Sequence, residues 1–386
     1  MKVSQIANLM NTVTNEILGT ENIVSEDLSN IVDVGKEIFD NTSLDNYVKK
    51  LVDVIGRVQI VDRIYKGGSP NVFRDSWEYG AVMEKISFML PEAEDNSSWN
   101  LVDGQSYDPN IFKAPKVTVK FFSNRYTFEI PMSITRKQVE GSFNNAYALN
   151  AFISGLWTAI RNSITIKFDA LIMRTINNMI GETIHDAYPD ANYTSSSHNR
   201  AVNLLHDYNA EYGTQLTVEQ CMHDKTFLRY CSKIMRKYQD WLKVASDKYN
   251  MGEQPRFTPN EFLHVVLLTD FVVNTEYDME SDTYHKDLVK LPFYETVPYW
   301  QAPGDGVPSF STNSEIHVAV ASDGSEVEAT GIVGIMFDHD ALGVTNHREY
   351  NTQQYNARAE FTNSWSKVEA GSFNDGNENF VVFFVA

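Results

Sequence analysis

Between Ser142 and Ile184 apolar residues recur every three or four positions. Leu149, Phe152, Ile153, Leu156, Trp157, Ile160 and Ile164 fall on one helical face. The spacing predicts a single helix of about forty residues, roughly 60 Å long, well beyond ordinary globular length. Its second half broadens. Ile166, Phe168, Leu171, Ile172, Met173, Ile176 and Met179 occupy more than one face, so several neighbours must cover it.

Upstream the period shifts from helical to two. Val82 to Leu90 reads as one strand, and Lys116 to Ile130, with Val117, Val119, Phe121, Tyr126, Phe128 and Ile130, as its partner. About 25 residues rich in Pro, Asp, Asn and Ser separate them, a length that marks a functional or mobile loop. It carries Trp99, Leu101, Tyr107 and Phe112. Aromatics on such a loop stay exposed in a lone subunit, so these four are the candidate intersubunit contacts.

Three short helical stripes precede this arm. Ile6 to Ile17 follows Ser4 as cap, Leu28 to Phe39 follows Ser25, and Leu44 to Ile55 follows Ser43. An extended segment, Val58 to Tyr65, leads to a break at Gly67-Gly68-Ser69-Pro70. After the long helix come a polar loop, Asp186 to Ser197, and helices around Asn199 to Glu211 and Thr217 to Tyr249. Strands are expected at Phe262 to Val273, Tyr294 to Trp300, Glu315 to Ala321, Gly331 to Phe337, Tyr355 to Asn363 and Phe380 to Val385, with a short helical turn at Asp338 to Leu342. Helices and strands are segregated, without a βαβ series, so the fold class is α+β.

Composition narrows the function. The chain has 386 residues, enough for two or three domains or one elaborate one, and 51 acidic against 32 basic residues give a formal charge of −19. Such a chain repels phosphate at long range. The densest basic run, Lys233 to Lys237 with Arg236, reads as a solvated helix face. No apolar run reaches the roughly 18 residues of a membrane span, and no signal peptide is expected. The sequons at Asn41, Asn96 and Asn192 are then idle. Cys221 and Cys231 fall in one helical stretch about three turns apart, which predicts free thiols in a reducing cytoplasm.

Catalytic patterns do not assemble. Gly67-Gly68 lacks a P-loop continuation, and neither a GxGxxG nor a GxSxG motif occurs. Asp338-His339-Asp340 has metal-binding residue types, but neighbours on a turn point apart and capping explains the carboxylates. His285 has no nucleophile beside it and reads as structural. No cofactor, metal or catalytic residue is therefore expected.

The order of elements resembles the Hong Kong 97-type fold of tailed-bacteriophage major capsid proteins over essentially the whole chain, particularly those of phages infecting Gram-positive bacteria. Three stretches carry the likeness: Leu51-Val52-Asp53-Val54-Ile55-Gly56-Arg57-Val58; Tyr284 to Val289 with Val297-Pro298-Tyr299-Trp300-Gln301; and Tyr350 to Asn356 with the closing strand Phe380 to Val385. The resemblance implies an N-terminal helical arm over 1–57, an extended loop with flanking strands over 58–133, and a peripheral domain with its spine helix over 134–254. An axial domain over 255–345 and C-terminal strands over 346–386, returning to the peripheral domain, complete the division. It also implies pentamers and hexamers of one chain, closed into an icosahedral or prolate shell around double-stranded phage DNA. That shell would be assembled in the host cytoplasm with portal and scaffolding partners. Some related shells carry Lys–Asn cross-links; Lys85, Lys113 and Lys116 lie in or near the loop, and nothing assigns any of them that role. The alternative within the fold is an encapsulin-like compartment around a cargo enzyme.

Overall fold

In the computed structural model the long apolar pattern forms one unbroken helix. The structure describes residues 3–18, 24–34, 68–74, 83–91, 93–110, 112–142, 146–194, 199–280, 293–301, 308–319 and 324–386. The spine helix is α3, Ala146–Ala187, 42 residues long, and a short helix α2, Arg136–Ser142, precedes it. Ser142, expected to open the spine, thus ends the preceding helix. Phe168, Leu171, Ile172, Ile176, Met179, Ile180 and Ile184 are buried, whereas Ile166 is 64% exposed. The buried part of the broadened stripe therefore begins at Phe168, and strands of both main sheets contact the helix.

The first helix, α1, spans Val3–Leu18 and packs on the spine. Ser4 lies inside it rather than capping it. The Asn11 side chain brackets the returning chain, donating to Val24 O at 2.9 Å and accepting Val24 N at 2.8 Å. Of the second expected helix only a turn at 31–34 is described. The third stripe and the segment Val58 to Tyr65 lie outside the described residues.

A five-stranded sheet forms the central core. Its order is β5 (Ala201–Asn203), β13 (Phe380–Phe384), β10 (Ile332–Asp338), β6 (Leu263–Leu268) and β7 (Glu295–Val297). Every residue of β13 and β10 is buried, as expected for strands covered on both faces. Phe262 to Val273 is not one strand. It breaks at Thr269, which opens helix α7, Thr269–Glu280, and ties it to β7 by donating from Oγ1 to Val297 O at 3.0 Å.

A four-stranded sheet lies beside it, ordered β1 (Phe73–Arg74), β11 (Leu342–Asn356), β12 (Phe361–Asn374) and β4 (Arg125–Thr135). The expected strand Tyr355 to Asn363 straddles the β11–β12 turn, and the two long strands on either side were missed. Lys116 to Ile130 also divides. Its first half is β3, Val117–Phe122, pairing with β2, Met83–Phe88, while its second half, β4, pairs with β12.

Helices α4 (Leu204–Tyr212), α5 (Val218–Cys221) and α6 (Lys225–Trp241) are capped by Asn203, Thr217 and Asp224. The break before α6 separates Cys221 from Cys231, so the two thiols do not share one helix; both are free and buried. Asp338 to Leu342 is a hydrogen-bonded turn, not a helix. Ala341 N donates to Asp338 O, and Asp340 N donates to Asp338 Oδ1, each at 2.8 Å.

Candidate intersubunit surface

The β2–β3 ribbon has two chemically different faces. Its antiparallel register sets Glu84 opposite Phe121, Lys85 opposite Lys120, Ile86 opposite Val119, Ser87 opposite Thr118 and Phe88 opposite Val117. Because side chains alternate along a strand, Lys85 and Lys120 share the face turned toward the body. Lys85 Nζ lies 2.6 Å from Asp375 Oδ2 and 2.8 Å from Glu378 Oε1, and donates to Asp340 O at 3.0 Å. Lys120 Nζ reaches the other Asp375 oxygen at 2.8 Å. Arg256 adds a longer contact to Glu378, 3.6 Å, and Phe122 meets Phe373 with ring centroids 5.5 Å apart.

Two ammonium groups directly opposite each other would repel, and the shared Asp375 carboxylate offsets this. Its side chain is 1% exposed. Burial pushes its carboxyl upward, but Lys85 and Lys120 outweigh that and hold it below the usual Asp value.

The other ribbon face is open and, apart from Glu84, apolar. Ile86 is 54% exposed, Phe88 64%, Val117 and Val119 43% each, and Phe121 66%. The loop joining the strands carries further exposed apolar residues. Trp99 ends a short 3-10 turn and is 88% exposed, and Leu101, Phe112 and Tyr107 are also exposed. Tyr107 is held locally: its hydroxyl accepts from Val102 N at 3.0 Å and donates to Gln105 Oε1 at 3.3 Å. An ion pair between Lys113 and Glu94 links the two sides of the loop.

All four residues expected from sequence therefore sit exposed on one loop. The five ribbon apolars were read only as strand pattern. The available signal was Lys85 and Lys120 at alternate positions: once those docked, the apolar positions had to face outward.

The remaining candidates lie away from this surface or outside the described residues. Burial pushes the Asp338 carboxyl up, and it accepts from Thr258 Oγ1 at 2.7 Å. His339 Nδ1 lies 3.1 Å from His264 Nε2, with the rings stacked. His285 lies outside the described residues. Lys233 in the basic run sits 3.8 Å from Glu211. No helix among the described residues is long and apolar enough to cross a membrane.

The family model of the Phi29-like phage major capsid protein matches residues 10–384. No curated protein matches the chain. Among solved structures, the Staphylococcus phage Andhra capsid is 11% identical, with 84% of this chain and 85% of that chain covered and a TM-score of 0.49. The cyanophage P-SCSP1u capsid is 10% identical, covering 84% and 91%, with a TM-score of 0.47. Those likenesses are distant, and the family match carries the assignment. Its extent favours a phage shell over an encapsulin. The chain belongs to the Phi29-like phage major capsid protein family and is a shell-forming structural subunit of the virion.

Proposed function

We propose that the outward ribbon face and the loop bearing Trp99, Leu101, Tyr107 and Phe112 lie across a neighbouring subunit. The observation that carries this reading is the apolar stripe of Ile86, Phe88, Val117, Val119 and Phe121, open on a ribbon whose opposite face is anchored to its own chain. A contiguous apolar surface of this kind is unusual on a monomer and marks a contact surface. Repeated around closed symmetry axes, the contact would build pentamers and hexamers. The division into arm, loop, peripheral domain, axial domain and returning C-terminal strands accords with this use.

The role is architectural rather than catalytic. The shell encloses double-stranded DNA without sequence-specific contacts, assisted by portal and scaffolding proteins. A formal charge of −19 keeps phosphate attraction low, so DNA slides against the wall during packaging and ejection. The test is Trp99→Ser combined with Phe112→Ser. A folded subunit that no longer closes shells is expected; shells at wild-type yield would overturn the contact.

A further inference from the structure

We infer that Glu315, His317 and Glu328 form a binding site for a divalent transition-metal ion. The site stands on a small two-stranded ribbon, β8 (Ile316–Ala319) paired with β9 (Glu326–Ala329). His317 is on β8, and Glu315 is the residue immediately before that strand. His317 is directly opposite Glu328 in the antiparallel register. Strand register brings the imidazole and one carboxylate together, and the Glu315 side chain reaches in from the strand's edge.

The side chains complete the arrangement. His317 Nε2 lies 2.6 Å from Glu315 Oε1 and 3.9 Å from Glu328 Oε1, and one donor atom from each residue lies within 4.8 Å of the others. A tetrahedral zinc ion with bonds of about 2.0–2.1 Å needs its ligand atoms about 3.3 Å apart. The His317–Glu315 separation must open and the His317–Glu328 separation close, each by less than an ångström, and the two carboxylates, within 4.8 Å of one another, must adjust by side-chain rotation. The His317 backbone is pinned, donating from N to Gln301 Oε1 at 2.7 Å.

The donor set selects the class of ion. One nitrogen and two carboxylates suit zinc, manganese or iron better than calcium, which prefers oxygen throughout. Three protein ligands leave one or more positions for water. The neighbouring strand residue Val318 packs against Gly181 of the spine helix, so an ion here would cross-brace a ribbon already seated on the spine. The cross-strand pairing of His317 with Glu328 is invisible until the register is known.

The test is isothermal titration of the purified chain with zinc chloride at neutral pH, beside His317→Ala and Glu328→Gln. Both positions are exposed, so both variants should fold, and far-ultraviolet dichroism checks this. One zinc per subunit is expected, with affinity falling about tenfold or more in each variant. Wild-type chain that takes up no zinc, or variants that bind it as tightly, would overturn the site.

Discussion

Lys85 of the loop ribbon and Asp375 of the strand-end turn meet at 2.6 Å across 290 residues of sequence, with Asp375 side chain 1% exposed. This contact decides which ribbon face remains free. It turns Lys85 and Lys120 inward and leaves Ile86, Phe88, Val117, Val119 and Phe121 outward. Asp375→Asn removes the carboxylate between two ammonium groups and should cost about 3 kcal/mol. Lys85→Met leaves Lys120 in place and should cost roughly 1–2 kcal/mol. Chemical denaturation of the unassembled subunit measures both.

The same pair sets a pH dependence. The Asp375 carboxyl is held below its ordinary value of 3.8 in the folded chain. Its contribution to stability is therefore full above that value and lost as pH falls through the folded value. Melting temperature should fall less between neutral pH and pH 3 in Asp375→Asn than in wild type. Equal losses would show that the ion pair has no such role.

The spine predicts an inverted alanine effect. Glycine inside a helix ordinarily costs about 1 kcal/mol relative to alanine, yet a Cβ on Gly181 would lie 2.2 Å from Val318 Cγ2. Gly181→Ala should therefore destabilise the chain by about 1–2 kcal/mol, and adding Val318→Ala should recover most of it. A stabilising Gly181→Ala would mean that the ribbon yields easily.

Thiol chemistry follows from burial. It pushes the Cys221 thiol up to about 12 and the Cys231 thiol well above its ordinary value, and the thiolate is the reactive form. Neither should react with a disulfide reagent at pH 8 in the folded chain, and both should react after denaturation. Stoichiometric labelling of native subunits would contradict the packing around α5 and α6.

Sequence carried the spine, β10 and β13 because each buries an apolar pattern, and β2 because its side chains alternate between two faces. It lost β11 and β12 because their pairing is made by backbone: Asn351, Thr352, Gln353 and Gln354 face Ser366, Trp365, Ser364 and Asn363. Such strands have little hydrophobic signature. It overextended β6 because Phe271 and Val272 stay buried after the chain turns helical, and burial alone does not report the period. The exposed loop aromatics were legible because their surroundings are polar. The ribbon stripe was not, since alternation says that two faces differ without saying which meets solvent.

The central claim is that a neighbour covers the outward ribbon face, and a single engineered thiol reads this directly. Val119→Cys adds one accessible cysteine at a 43% exposed position, with both native thiols buried. Maleimide labelling is measured on free subunits and on assembled shells of this variant. The prediction is rapid labelling of subunits and at least about tenfold slower labelling in shells; equal rates in the two would contradict it.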